Sequence, residues 1–178
     1  MLDGDTIMNP ATLTVSLRAA GAAIAGVDAV MKGEVENAFC AIRPPGHHAE
    51  PTRSMGFCVF NNIAIAARYA ISAYGIERVA IIDFDVHHGN GTEAAFYDDP
   101  KILMCSFFQH PFYPYSGLEH SDNMVNMPMP ASTKGDVVRK MITETWLPRL
   151  RAFQPELILI SAGSVSYTHL RAHETEAD

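Results

Sequence analysis

Leu17, Ala20, Ile24, Val27 and Met31 recur three and four positions apart, which predicts a helix with one apolar face over about 11–32, ended by Gly33. A short apolar run at 38–42 reads as a buried strand. Residues 43–56, with two adjacent prolines, Gly46 and two histidines, read as a loop. An Ala/Ile-rich stretch over 61–73, closed by Gly75, predicts a second helix. The run 78–83 (RVAIID) is continuously apolar and ends in an acid, the pattern of a central parallel strand covered on both faces. A short helix at 91–98 and a buried strand at 102–107 follow. Residues 108–134, which hold Pro111, Pro114, Pro128 and Pro130, read as one long irregular segment, with Met124, Met127 and Met129 as gap-filling packing. A helix over 136–153, which Pro148 must kink or divide, leads to a last strand at 157–161. Strands alternating with helices predict an α/β fold: a mainly parallel sheet flanked by helices on both faces. Ligands bind such sheets at the carboxyl ends of the strands, where the acids and histidines of this chain fall.

Composition narrows the class. Of 178 residues, 48% are hydrophobic and 19% charged, enough for a real core and against a disordered or fibrous chain. A net charge of −7 argues against a nucleic-acid-binding surface but does not repel a basic substrate. No uninterrupted run of 18 apolar residues occurs, so no membrane-spanning helix is expected, and the opening MLDGDTIMNP lacks the basic start and apolar stretch of a signal peptide. Cys40, Cys58 and Cys105 are an odd number without C-x-x-C spacing, which reads as buried thiols in a reducing compartment, the cytoplasm.

Three segments carry chemistry. In DFDVHHGNGT, Asp83, Asp85 and His87 alternate, so in an extended chain their side chains point one way. Carboxylate and imidazole donors at that spacing suit Zn²⁺, or Fe²⁺ or Mn²⁺, and Gly89 and Gly91 let the backbone turn beneath. In RPPGHHAE, prolines stiffen the approach to His47 and His48, which suit proton transfer because an unperturbed imidazole titrates near neutrality. In GFCVFNN, Phe57 is a candidate tunnel wall. His110 and His120 have no partner at ligand spacing and read as surface or hydrogen-bonded residues.

RPPGHHAE, GFCVFNN and DFDVHHGNGT, in that order and spacing, resemble the metal-dependent histone deacetylase family of the arginase/deacetylase superfamily, with wording closest to class II and bacterial members, acetylpolyamine amidohydrolases among them. The likeness covers about 11–163, a partial catalytic domain. It implies that Asp85 and His87 bind one catalytic zinc ion. It implies that His48 is the general base, oriented by Asn90, and that His47 is its electrostatic partner, paired with Asp83. A structural potassium site at Asp83, Asp85, His87, Ser106 and Phe107 is implied too. Gly56, Phe57 and Tyr113 would line the channel for an acyl-lysine stem, and Phe60 and Asn61 would pack or cap. The implied reaction is zinc-dependent removal of acetyl groups from an acetylated lysine peptide or a related acetylated amine. The alternatives are an acetylpolyamine amidohydrolase, a ureohydrolase-like relative with two manganese ions, and a non-catalytic remnant.

The sequence departs from the family pattern at its end. Where the family has Ser-Ala-Gly-Phe-Asp, whose aspartate is the third metal ligand, this chain has Ser161, Ala162 and Gly163 followed by Ser164 and Val165. The family's later oxyanion tyrosine has no counterpart, and Tyr167 does not match it. Residues 164–178 therefore read as a tail foreign to the fold, with His169, His173 and Glu174 placed by chance. The expectation is an active parent, little or no activity in this chain, and an open sheet edge that lowers solubility.

Overall fold

The computed structural model describes residue 4 and residues 6–163. Helix α1 spans Thr12–Met31; Asn9 opens it by accepting from the Ala11 N–H (2.8 Å), and Gly33, at φ 70°, follows its end. Its buried residues are Thr12, Ser16, Ala19, Ala20 and Val27, whereas Leu17 is 56% exposed. The predicted face is thus turned about the axis: in so alanine-rich a helix, periodicity fixes the element better than its orientation. Helix α2 spans Asn62–Tyr74. Asn61 caps it by accepting from the Ala64 N–H (3.0 Å), and Gly75 closes it in the left-handed region. The two helices pack together, and Asp28 of α1 accepts hydrogen bonds from the hydroxyls of Tyr69 (2.8 Å) and Tyr74 (2.7 Å).

By length and composition α1 is apolar enough to cross a membrane, with mean hydropathy 1.4, contrary to the expectation from uninterrupted runs. Arg18 and Asp28 break any such run, but the alanines, Ile24 and Val27 between them keep the average high. In this fold α1 rests on α2.

Four strands, β1 (Val79–Asp83), β2 (Ile102–Gln109), β3 (Met124–Met129) and β4 (Leu157–Ser161), form one wholly parallel sheet in the order β3-β2-β1-β4. Strand β3 lies inside the stretch expected to be irregular. Pro128 hid it, but β3 is an edge strand, where one missing N–H is tolerated. Conversely, residues 38–42 form no strand. Phe39 is 87% exposed, and the Cys40 thiol, which is only half-buried, points to the Ala22 carbonyl of α1 (3.5 Å). A short apolar run alone does not supply a pairing partner.

Alternation along β1 sorts side chains to the two faces of the sheet. Val79, Ile81, Ile102 and Met104 meet Ala64, Ala67 and Ala70 of α2 and Phe96 of helix α3 (Asn90–Phe96). Small alanines let α2 approach closely. Leu103, Cys105 and Val125 meet Trp146, with Ile142, Leu150 and Phe153 packed around them. Those last residues belong to the predicted 136–153 helix, which is divided into α4 (Gly135–Met141), a wide turn over Ile142–Trp146, and α5 (Leu147–Phe153). Pro148 has no N–H to continue the regular ladder, and the division falls one turn before it.

Candidate active site

The carboxyl end of β1 builds the site. Strand pairing ends at Asp83, which lies level with Ser106 of β2 and Ser161 of β4. Beyond it the chain bends rather than staying extended: Asp83 Oδ1 accepts from the Asp85 N–H (3.1 Å), and Asp85 Oδ1 accepts from the His87 N–H (2.7 Å). These turns, not strand alternation, gather the three side chains. Asp85 Oδ1 lies 3.0 Å from His87 Nδ1.

The loop carrying His47 and His48 docks from the side. The His47 carbonyl accepts from the N–H groups of Gly91 (2.9 Å) and Thr92 (3.2 Å) at the start of α3, and Asn61 donates to the Ala49 carbonyl (3.3 Å). A methyl group at Gly91 would collide with the Ala49 backbone, and one at Gly56 would collide with the His48 ring. Close approach is therefore the reason for glycine at both places.

His47 Nδ1 is 2.9 Å from Asp83 Oδ2, and His48 Nδ1 is 2.8 Å from Asn90 Oδ1, with the two rings 4.0 Å apart. All four residues are buried. Burial works against a proton on His47, but the charge and hydrogen bond of Asp83, joined by the charge of Asp85, outweigh it and raise the His47 pKa. His48 is pushed down to about 3, chiefly by burial and by the neighbouring charge of His47. The two adjacent imidazoles are thus shifted in opposite directions, His47 toward holding a proton and His48 away from it.

Tyr113 stands edge-on to His48 (5.1 Å) and to His87 (5.9 Å), and Phe112 stacks on His87 (5.0 Å). Phe57 is 63% exposed at φ 65°, and its N–H donates to Thr6 (3.2 Å). Phe112, like Phe57 and Tyr113, is open from sequence alone to either a channel or a core reading, because a lone aromatic in a proline-rich loop carries no periodic signal. The sequence alone gives His88 no role of its own; it is 1% exposed and ties three segments together: Nδ1 meets Ser116 (2.9 Å) and Nε2 meets Glu93 (3.2 Å), which also accepts from Asn126. Burial alone would raise the Glu93 pKa, but the bonds from His88 and Asn126 bring it below the usual range. Half-buried His110 keeps an enclosed Nδ1 with no hydrogen-bond partner among the described residues, rather than the surface or bonded state expected of it.

The donor chemistry suits a divalent ion in part. Asp85 and His87 converge as a carboxylate and an imidazole, but no cluster of three or more His, Cys, Asp or Glu side chains forms among the described residues. Gly163, the last described residue, lies against the Asp85 carboxylate, with no room for a methyl group between them. For the potassium site, Ser106 is fully buried and its hydroxyl has no hydrogen-bond partner among the described residues, which fits a ligand position. Phe107 stacks its ring on Trp146 (5.6 Å). His169, His173 and Glu174 lie outside the described residues.

A parallel sheet with paired histidines and acids at its carboxyl end makes a candidate catalytic site, and comparison with known proteins names the family. The family model described as the histone deacetylase domain matches residues 1–173, and the chain belongs to that family. It is 43% identical to "Histone deacetylase 10, chloroplastic" of Oryza sativa subsp. japonica, over 90% of this chain and 39% of that protein. It is 40% identical to "Polyamine deacetylase HDAC10" of Rattus norvegicus, over 87% of this chain and 29% of that protein. The solved structure of the HDA15 HD domain matches with a TM-score of 0.87 at 35% identity, over 93% of this chain and 50% of that one. The chain therefore spans half or less of the length of these relatives.

Proposed function

We propose that this chain contributes the proton-transfer half of a zinc-dependent deacetylase acting on acetylated lysine side chains or related acetylated amines. The observation that carries the reading is the pairing of His47 with Asp83 and of His48 with Asn90 around the convergent Asp85 and His87. Asp85 and His87 would hold the ion, and the aspartate that the family pattern places after Ser-Ala-Gly is replaced here by Ser164 and Val165. Bound there, zinc supplies Lewis-acid polarisation of the amide carbonyl and lowers the pKa of its water. His48, kept neutral by burial, accepts a proton from water in the pocket and returns it to the leaving amine. His47, whose hold on a proton is strengthened by Asp83, stabilises the negative charge that develops on the carbonyl carbon's oxygens. Tyr113 and Phe112 give an apolar flank on which an aliphatic stem can lie, with Phe57 at the rim.

Buried Ser106 supports a structural potassium ion below the site. Free thiols at Cys40, Cys58 and Cys105, the latter two raised to about 12 by burial, support a reducing compartment, which we take to be the cytoplasm. An acetylpolyamine is a second substrate reading, favoured by the likeness to a relative named a polyamine deacetylase and by the net charge of −7.

The test is hydrolysis of an acetyl-lysine peptide and of N-acetylputrescine by the complete protein, with and without zinc. Zinc-dependent turnover that falls about 10²–10⁴-fold in His48→Ala supports the reading. Turnover unaffected by chelation, or by that substitution, removes it.

A further inference from the structure

His48 and Glu50 stand two residues apart in the same loop, and both reach one side chain, Asn90, from opposite sides. Asn90 Oδ1 is 2.8 Å from His48 Nδ1, and Asn90 Nδ2 is 2.7 Å from Glu50 Oε1, with Met55 Sδ a weaker neighbour at 3.4 Å. Glu50 is fixed there by its own backbone. Its N–H donates to the Arg53 carbonyl (2.9 Å) and its carbonyl accepts from the Arg53 N–H (3.3 Å), closing a tight turn through Pro51 and Thr52. Asn90 is fixed by its place at the start of α3, where it is buried.

The chemistry of these three groups dictates a direction. A carboxylate accepts hydrogen bonds and donates none, whereas an amide offers a donor end and an acceptor end. The end of Asn90 that faces Glu50 must therefore be its NH₂, and the end that faces His48 must be its oxygen. An oxygen facing His48 Nδ1 requires that nitrogen to carry the proton. In a neutral imidazole only one nitrogen does, so Nε2 keeps its lone pair. With the amide reversed, Nδ1 would accept, the proton would sit on Nε2, and the ring would have no basic nitrogen facing outward from Asn90. The thioether of Met55 is too weak an acceptor to choose between the two.

We propose that Glu50 is a positioning residue that, through the Asn90 amide, keeps the proton of His48 on Nδ1 and leaves Nε2 to accept protons. The proton's location stands on the hydrogen-bond geometry; its use in turnover rests on the deacetylase reading.

The experiment is long-range ¹H–¹⁵N correlation NMR on the metal-free, histidine-labelled 178-residue chain, with the His48 signals assigned by their loss in His48→Gln. The wild-type chain is expected to show a protonated Nδ1 and an unprotonated Nε2. Glu50→Gln offers Asn90 either a donor or an acceptor, so a second form with protonated Nε2 is expected. In the double variant Glu50→Gln/Asn90→Asp, a carboxylate at position 90 accepts from both neighbours, and the single Nδ1–H form should return. If Glu50→Gln does not fold, Glu50→Met, which removes the acceptor while keeping the bulk, should show the same second form. A wild-type chain protonated on Nε2, a folded Glu50→Gln chain with unchanged His48 signals, or a double variant that fails to restore them overturns the proposal. A protein with the expected signals that hydrolyses no acetylated amine would sink the deacetylase reading and leave this assignment standing.

Discussion

His47 and His48 are adjacent in sequence with rings 4.0 Å apart, yet their surroundings shift their pKa values in opposite directions. The consequence for stability has two signs. The folded pKa of His47 is raised, so its contribution is full below the unfolded value near 6.5 and is lost as pH rises through the folded value. The folded pKa of His48 is lowered to about 3, so the unfolded chain takes up a proton first, and stability drains away as pH falls from about 6.5 toward 3. Denaturant titration of the metal-free chain between pH 7 and pH 4 should show an acid-side loss. His48→Gln should flatten that limb by no more than about 1.4 kcal/mol per pH unit, since one proton is involved. An unchanged slope in the variant would mean that His48 is protonated in the folded chain. At this scale the residue types were legible: paired histidines, acids two apart and nearby glycines point to metal and proton chemistry. Their partners were not. Nothing in the spacing says that Glu50 reaches Asn90, or that His88 reaches Ser116 28 residues away, because those contacts come from the packing of a loop, a helix start and an edge strand.

Helices and strands show the same division between local pattern and long-range partner. Strands β1, β2 and β4 and both long helices fall where periodicity and punctuation put them. Strand β3 was hidden by its proline, and the run at 38–42 lacked anything to pair with. Glycines make the point quantitatively. Gly21 lies mid-helix in α1 with open space around its α-carbon, so Gly21→Ala should stabilise the chain by about 0.5–1 kcal/mol through backbone entropy. Gly91 is also helical, and propensity alone predicts the same gain. A methyl group there meets the Ala49 backbone, which cannot swing aside, so Gly91→Ala should instead cost about 1–3 kcal/mol. Thermal melts of the two variants should move in opposite directions. A rise in both would mean that α3 does not dock on the histidine loop as described.

Across the whole molecule, one face of the sheet carries α2, α3 and the main core, and the carboxyl ends of β1 and β2 bring that core's edge to the site. The other face is covered by the Ile142–Trp146 turn and α5 over β2, while Ile158 and Ile160 of β4 are 51% and 59% exposed. The fold class was legible because a parallel sheet follows from strand–helix alternation. The division of labour between faces was not, because it depends on which strands are neighbours. The proposed site depends above all on Asp85 and His87 gripping a divalent ion at the end of β1 beside His48. The direct measurement is a competitive zinc titration of the metal-free chain against Asp85→Ala and His87→Ala. Affinity falling by about 10–100-fold or more in each variant, with the fold retained, is the predicted result. Equal affinity in all three chains would place the ion elsewhere and contradict the account.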